Sequence, residues 1–221
     1  MTQILEFLNK LSENNNREWF HEHKSEYKSA LDAFSTLVSE LIAGISKFDP
    51  ELLDLEARDT IFRIYKDIRF SKDKTPYKTH FGAYMAKGGR KSPNAGYYFH
   101  IEPENSFLAA GVYMVEKERL KAIRQEIVFQ PEVYMKIIGN NNANGFSQHD
   151  SEDKLKKAPK GFSPDFKYVE ELKFKHYIFA KEYSNTQLLA KSFVDSAVKD
   201  LEGLYPYVDF LNSAMDYIGN E

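Results

Sequence analysis

The sequence predicts an α+β fold: a single domain spanning residues 1–221, in which an antiparallel sheet of about five strands packs against N- and C-terminal helices. Two observations predict it. Apolar residues recur every three or four positions near both ends of the chain, which is helical spacing, whereas the middle alternates apolar and polar residues, which is strand spacing. Apolar residues make up 42% and charged residues 29% of the chain, a composition typical of globular proteins.

Helical spacing begins at the N-terminus, where it predicts a helix over residues 3–12. Asn16 is a candidate N-cap for a long second helix over residues 17–47, which Asp49 and Pro50 would end. Further helices are predicted at residues 116–126, 131–139, 187–201 and 206–218. The last two are separated because a glycine and a proline between them supply a stop and a start.

Strand spacing is clearest at residues 62–70, where apolar side chains alternate with charged residues and tyrosine. Lys66 falls on the apolar side of this strand, which indicates a bulge or an incompletely covered face. Turn residues divide the following sequence into an antiparallel meander. The other strands are predicted at residues 81–86, 97–102, 107–114 and 172–180. Residues 140–153 are polar and are predicted to form a surface loop.

A series of segments carries a family resemblance along nearly the whole chain. They are NNNREWFHEHKSEY (14–27), RIYKDIRFSKDKTPYKTHFG (63–82), GYYFHIEPENSFLAAGVY (96–113), LKAIRQEI (120–127), KAPKGF (157–162), LKFK (172–175) and YPYVDFLN (205–212). In this order they resemble the uncharacterised conserved hypothetical protein family catalogued as domain of unknown function 2461. The sequence departs from the family pattern at Lys66, where arginine is usual. The resemblance implies one full-length domain and no particular activity.

Bulk properties narrow the choice of compartment and partners. The formal net charge of −3 and the pI of about 6.1 give the whole molecule no attraction to nucleic acid or to anionic membranes. The absence of cysteine excludes disulfides, thiolate catalysis and cysteine-ligated zinc. The N-terminus lacks a basic start followed by a long apolar run. We expect a cytoplasmic protein without membrane or nucleic-acid partners, and the oligomeric state is left open.

The candidate ligand site lies in residues 62–81, a stretch with six lysine and arginine residues. We expect two arginines to share one strand face with an aspartate between them, which would present guanidinium groups to a phosphate or carboxylate. The candidate ligand-binding residues are Arg63, Asp67, Arg69, Lys72, Lys74, Lys175 and Trp19. The structural alternative is an exposed sheet face with paired acids and solvated lysines, and a tryptophan that seals the edge of the core.

The expected function is the binding of an anionic small molecule. Two alternatives stay open. One is a hydrolytic enzyme acting on a phosphorylated substrate or nucleic acid, with His100, Glu102 or Asp67 in proton transfer or metal binding. The other is a protein interaction module with an exposed basic face. His100 and Glu102 share one strand parity and His80 precedes a neighbouring strand, but two ligands in register are too few for a metal centre. No metal or cofactor is therefore predicted, and whether the protein is an enzyme stays open.

Overall fold

A computed structural model describes residues 1–69, 71–148 and 153–216. The helices in chain order are α1 (Thr2–Glu13), α2 (Arg17–Glu22), α3 (Lys24–Ile45), α4 (Ala57–Thr60), α5 (Lys117–Phe129), α6 (Pro131–Ala143), α7 (Val169–Leu172), α8 (Asn185–Leu189) and α9 (Phe193–Asp216). The strands are β1 (Phe81–Met85), β2 (Gly96–Ile101), β3 (Ser106–Val112), β4 (Ser147–Gln148) and β5 (Tyr177–Tyr183). Parts of three predicted elements lie outside the described residues, at Phe70, 149–152 and 217–218.

The strands of the described chain form one antiparallel sheet of five, in the order β1-β2-β3-β5-β4. The predicted strands at 81–86, 97–102 and 107–114 correspond to β1, β2 and β3. The predicted strand at 172–180 is displaced toward the C-terminus, because its first residue still belongs to the short helix α7. Together with the helices at both ends of the chain, this sheet confirms the predicted α+β class. No helix in the described ranges is both long and apolar enough to cross a membrane.

The prediction of a regular strand at residues 62–70 is wrong. The segment forms only isolated bridges, between Ile61 and Ala83 and between Tyr65 and Tyr77. The first half of this segment runs antiparallel to the residues that precede β1, as the hydrogen bond from the Lys66 amide to the Pro76 carbonyl, at 2.9 Å, shows. Aspartate side chains in the intervening turn accept hydrogen bonds from nearby backbone amides, an arrangement that competes with a regular ladder. We refer to residues 61–81 as the basic ribbon.

Two helix predictions also need correction. The expected helix over 17–47 is divided at His23, whose ψ of 23° interrupts the helical hydrogen bonds and whose ring nitrogen Nδ1 lies 2.9 Å from the Trp19 carbonyl oxygen. Conversely, the two helices expected on either side of residues 203–206 are one continuous helix, α9, with Pro206 inside it. The capping prediction for Asn16 is confirmed, because its Oδ1 accepts from the Trp19 amide at 2.9 Å.

The predicted loop over residues 140–153 is partly regular. Helix α6 continues to Ala143, and Ser147 and Gln148 then pair with Phe179 and Ala180 of β5 as the short edge strand β4. The polar composition of these residues suits an exposed helix end and a sheet edge as well as a loop. The sequence pattern therefore gave no sign of this pairing.

The chain forms two compact units, each assembled from separate segments. The first contains residues 1–90, 98–108 and 182–199. In its core, the Phe34 ring of α3 packs 5.3 Å from the ring of Phe81 in β1 and 5.8 Å from that of Phe99 in β2. Successive side chains of a strand point to opposite faces, so His80 and His100 lie on the sheet face that does not carry these phenylalanines.

The second unit is built from the remaining described residues. Its core is rich in tyrosine: the Tyr207 ring of α9 meets the Phe179 ring of β5 edge-on at 5.1 Å and lies 6.4 Å from the Tyr134 ring of α6. Gly111 in β3 adopts a φ of +133° and sits against the carbonyl group of Tyr177 in β5. A side chain at this position would collide with that backbone.

Candidate functional site

A cavity of about 430 Å³ lies in the first unit, between the basic ribbon and the two helices that follow Asn16. The residues that line it are Arg17, Phe20, His21, Lys24, Tyr65, Lys66, Ile68, Pro76 and Tyr77. This lining contains three cationic side chains and no carboxylate. The cavity therefore has the volume of a small-molecule site and a lining in which cationic side chains outnumber anionic ones.

Aromatic rings form one wall of the cavity. The Phe20 ring stacks on the Tyr77 ring at 3.9 Å with an interplanar angle of 15°, and the Tyr65 ring lies 5.5 Å from that of Tyr77. Phe20 and Tyr77 are buried, with 4% and 5% of their surface exposed, whereas Tyr65 is half exposed. The wall thus combines a fixed apolar base with one accessible ring.

The three cations of the lining differ in how they are held. Arg17 and Lys24 lie exposed on α2 and α3, and neither side chain makes a hydrogen bond or ion pair with any residue in the described ranges. Lys66 is held by the ribbon itself: its Nζ lies 2.6 Å from Asp73 Oδ2 and 2.8 Å from Thr75 Oγ1. The Lys66 ammonium also lowers the pKa of the Asp73 carboxyl. Arg17 and Lys24 are therefore the cations with free hydrogen-bonding capacity.

An asparagine side chain fastens the ribbon to the helical segment. Asn15 Nδ2 donates to the Tyr77 carbonyl at 3.0 Å, and the Tyr77 amide donates to Asn15 Oδ1 at 3.1 Å. Because Tyr77 lines the cavity, this pair of hydrogen bonds sets the distance between its two walls. We call it the Asn15 clamp.

The ribbon residues predicted as ligands lie around the cavity rather than in its lining. Arg69 and Asp67 form a two-pronged ion pair, with Nη2–Oδ2 at 2.6 Å and Nε–Oδ1 at 2.9 Å, which lowers the pKa of Asp67 to about 2. The Lys74 ammonium donates to the Ile68 carbonyl at 2.9 Å. Arg63 and Lys72 are exposed and make no hydrogen bond within the described part of the chain.

The other two predicted ligands lie elsewhere. The Trp19 ring stacks on the His23 ring at 4.1 Å and lies 6.2 Å from the Phe7 ring, outside the cavity lining. Lys175 belongs to the second unit, where its ammonium pairs with Asp153. The structure thus brings none of the seven predicted ligands into the lining, although Lys66 of the same ribbon is part of it.

A second constellation lies on the face of β1 and β2 opposite Phe34. Within the described ranges, His80, His100 and Glu102 form a group whose potential ligand atoms all lie within 4.8 Å of one another. The His80 and His100 rings are 4.2 Å apart, and His100 Nε2 is 3.4 Å from Glu102 Oε2. His100 is buried, while His80 and Glu102 keep part of their surface in solvent. Imidazole and carboxylate groups so placed could hold a divalent metal ion.

Hydrogen bonds orient each side of this cluster. Thr79 Oγ1 donates to Glu102 Oε1 at 2.5 Å, and Asn105 Nδ2 donates to Glu102 Oε2 at 3.0 Å. Burial opposes ionisation of Glu102, but these hydrogen bonds and the one from His100 outweigh it, so its pKa is lowered. On the other side, the Tyr98 hydroxyl lies 3.2 Å from His100 Nδ1.

Burial keeps both imidazoles of the cluster neutral. It lowers the pKa of His80 to about 4, with a smaller contribution from the neighbouring His100, and it also lowers the pKa of His100. Burial raises the pKa of the Tyr98 hydroxyl to about 12, so this group stays protonated at neutral pH. At pH 7 the cluster therefore consists of two neutral imidazoles and one carboxylate.

A family model described as conserved hypothetical protein (DUF2461) matches residues 3–210 of the 221-residue chain. The chain belongs to this family. The matched range contains every residue of the cavity and of the histidine cluster. Searches of curated proteins and of solved structures give no significant match.

Sequence reasoning on this DUF2461 protein found the ribbon but missed the residues opposite it. Arg17 and Lys24 look like solvated cations on a helix surface, and nothing in the pattern shows that a cavity lies beside them. His80 was noted only as a residue before a strand. The signal that was available is strand parity. If β1 pairs with β2, His80, the residue before Phe81, shares a face with His100 and Glu102, and the cluster of three is complete.

Proposed function

We propose that the protein binds a small molecule carrying a phosphate or carboxylate group in the cavity between the basic ribbon and helices α2 and α3. The observation that carries this proposal is the charge of the lining: the exposed cations Arg17 and Lys24 line one cavity, and none of the described residues that line it carries a carboxylate. A cavity that binds an anion must supply such an excess of donors and positive charge.

The pairing of the cations supports the same conclusion. Lys66 is neutralised by Asp73, but Arg17 and Lys24 make no hydrogen bond or ion pair within the described ranges. An arginine offers a planar pair of donors that matches two oxygens of a phosphate or carboxylate. Arg17 is therefore assigned the bidentate contact and Lys24 a single charged contact.

The aromatic rings of the lining favour particular chemistry in the part of the ligand that does not carry the anionic group. The exposed Tyr65 ring and the buried Tyr77 ring give the same lining an apolar surface. A ligand whose anionic group lies next to a planar or apolar portion would contact both walls. The cavity of about 430 Å³ has the volume of a small metabolite site.

Thermal-shift measurements on the full chain test this proposal, because a ligand that binds only the folded state raises the melting temperature. Nucleotides, sugar phosphates, aromatic carboxylates and inorganic phosphate are the probes. The decisive pair of variants is Lys24→Met and Lys28→Met. Both remove one exposed lysine from α3, but only Lys24 lines the cavity.

We expect at least one probe to bind, with Lys24→Met weakening its affinity about tenfold, as loss of one charged hydrogen bond implies. Lys28→Met should leave the affinity unchanged. Equal losses in both variants, or no shift with any probe class, would refute the assigned site. Binding of only large acidic proteins, abolished by moderate salt, would instead support the interaction-module alternative.

Hydrolysis is the second candidate function, and the separation of 3.4 Å between His100 Nε2 and Glu102 Oε2 favours it. An imidazole and a carboxylate this close can share proton transfer to and from a substrate. Release of phosphate from p-nitrophenyl phosphate, abolished by Glu102→Gln, would support this role. Rates that do not differ between the wild type and Glu102→Gln would exclude it for that substrate class. The cytoplasmic location and the lack of nucleic-acid partners stay predictions.

A further inference from the structure

We propose that His80, His100 and Glu102 form a binding site for a divalent transition metal, with zinc as the best-fitting ion. The proposal is independent of the anion cavity, because none of these three residues lines it. It stands on the geometry of the three side chains, on the partners that orient them and on their exposure.

The separation of the ligand atoms matches a tetrahedral ion. Two ligands about 2.1 Å from a zinc ion lie about 3.4 Å apart when the coordination is tetrahedral. His100 Nε2 and Glu102 Oε2 are 3.4 Å apart. Without an ion this distance accommodates the hydrogen bond from His100 to Glu102, and a metal ion held between the two atoms would take the place of its proton.

The third ligand needs only a small movement. His80 has a ligand nitrogen within 4.8 Å of the atoms offered by His100 and Glu102. Side-chain rotation of His80 could shorten this separation to the tetrahedral value of about 3.4 Å. His80 is only partly buried and directly precedes β1, and its ring already lies 4.2 Å from that of His100.

The surrounding hydrogen bonds are those that metal ligands require. The Tyr98 oxygen lies 3.2 Å from His100 Nδ1 and can accept a hydrogen bond from it; in that tautomer Nε2 carries no proton and can bind the ion. Thr79 and Asn105 donate to the two oxygens of Glu102 and fix the plane of the carboxylate. Gly82 supplies the space for the Tyr98 hydroxyl, which lies 2.5 Å from where a β-carbon at position 82 would be.

The exposure of the cluster leaves a coordination position for water or a substrate. The Glu102 side chain is 22% exposed, whereas the His100 side chain is 9% exposed. Three protein ligands and one open position are the arrangement of catalytic zinc sites, whereas structural sites use four protein ligands. Two imidazoles and one carboxylate favour zinc over magnesium or calcium, which prefer oxygen ligands alone.

Zinc titration of the chelator-treated full chain, followed by calorimetry, tests the proposal. Cobalt provides a second measurement, because its visible absorption reports the number and symmetry of its ligands. The ligand variants are His80→Ala and Glu102→Gln. The matched control is His176→Ala, because His176 Nε2 also faces a carboxylate, Asp153 Oδ2, at 3.6 Å, but that pair belongs to no group of three ligands in the described chain.

We expect one zinc ion per chain in the wild type, at least about a tenfold loss of affinity in each ligand variant and no loss in the control. Circular dichroism must show that each variant is folded, and Glu102→Gln, which keeps the shape of the side chain, decides the question if His80→Ala does not fold. An anomalous-scattering map of zinc-soaked crystals needs no variant. No binding by the wild type, unchanged affinity in Glu102→Gln or an ion located elsewhere would overturn the proposal.

Discussion

The Asn15 clamp makes a prediction in which stability and ligand binding can be separated, because the second unit contains a matching clamp. Asn15 holds the backbone amide and carbonyl of Tyr77 at 3.1 and 3.0 Å. Asn212 holds the amide and carbonyl of Ala95 at 2.8 and 3.1 Å. Both asparagines are half-buried, and Tyr77 and Ala95 are 5% and 3% exposed.

Replacement of either asparagine by alanine removes two hydrogen bonds from backbone groups that water reaches poorly. At about 0.5–1.5 kcal/mol for each bond, Asn15→Ala and Asn212→Ala should each lower the free energy of unfolding by about 1–3 kcal/mol. Urea denaturation monitored by circular dichroism measures this loss. The two variants should lie close together, because the geometry and burial of the clamps are alike.

Only Asn15→Ala should weaken ligand binding. Without the clamp, the ligand must hold Tyr77 and the ribbon in place, and each 1.4 kcal/mol of that cost lowers affinity about tenfold. The assay is calorimetry with the anion that gives the largest thermal shift on the wild type. A stability loss below about 0.5 kcal/mol in Asn15→Ala would refute the clamp. An equal loss of affinity in Asn212→Ala would refute its link to the cavity.

Three further predictions concern stability. Gly111→Ala should lower the free energy of unfolding by more than about 3 kcal/mol, because φ is +133° and the new β-carbon would collide with the Tyr177 carbonyl. Gly139→Ala, at an open helical position of α6, should instead raise the free energy of unfolding by about 0.5–1 kcal/mol. The same urea assay measures both. Burial lowers the pKa of His80 to about 4, while the unfolded chain titrates near 6.5. Between these two pH values only the unfolded state binds the proton, so the free energy of unfolding falls as the pH drops from about 6.5 and levels off below about 4. In chelator-containing buffer, His80→Gln should reduce this total fall by about 1–2 kcal/mol. An unchanged pH dependence would contradict the assignment to His80. Tyr207→Phe should leave thermal stability unchanged or raise it, because the buried Tyr207 hydroxyl interacts with the equally buried Tyr134 hydroxyl but makes no hydrogen bond of good geometry among the described residues. A clear loss would contradict this.

The spacing of apolar residues correctly predicts those elements whose apolar residues are all buried on one face. Helix α1 follows from the spacing of Leu5, Leu8 and Leu11, all of which are buried. The break at His23 is different, because the apolar spacing continues through it and only the backbone angles at His23 show the interruption. Pattern reasoning fails there because periodicity records which face is buried and does not record whether the helical hydrogen bonds are continuous.

Proline and glycine signals were overruled in α9. The sequence predicts that one helix ends at Gly203 and another begins at Pro206, yet a single helix passes through both. Leu204 and Tyr207 on either side of Pro206 are fully buried. The apolar area that they remove from water outweighs the missing hydrogen bond and the clash that an internal proline imposes.

In the candidate sites, too, the local sequence pattern indicates single residues but not the distant residues that they meet in the fold. The irregular position of Lys66 was visible in the sequence, since an ammonium on an apolar parity requires either a bulge or an uncovered face. In the structure these residues form no regular strand, and Lys66 lies in the cavity lining, where its ammonium pairs with Asp73. The partners of Lys66 across the cavity, Arg17 and Lys24, come from residues more than 40 positions earlier, a distance that no local pattern spans.

The register of the basic ribbon determines both sites at once. Tyr65 pairs with Tyr77 across the ribbon, and the chain then continues through His80 into β1. A shift of one residue would turn every side chain to the opposite face, which would remove Tyr77 from the cavity wall and His80 from the histidine cluster together. Phe81 prevents this shift, because it is 1% exposed and packs against the ring of Phe34, and its move to the solvent face would expose a whole aromatic side chain. The burial of Phe81 therefore helps to fix both the cavity and the cluster of His80, His100 and Glu102.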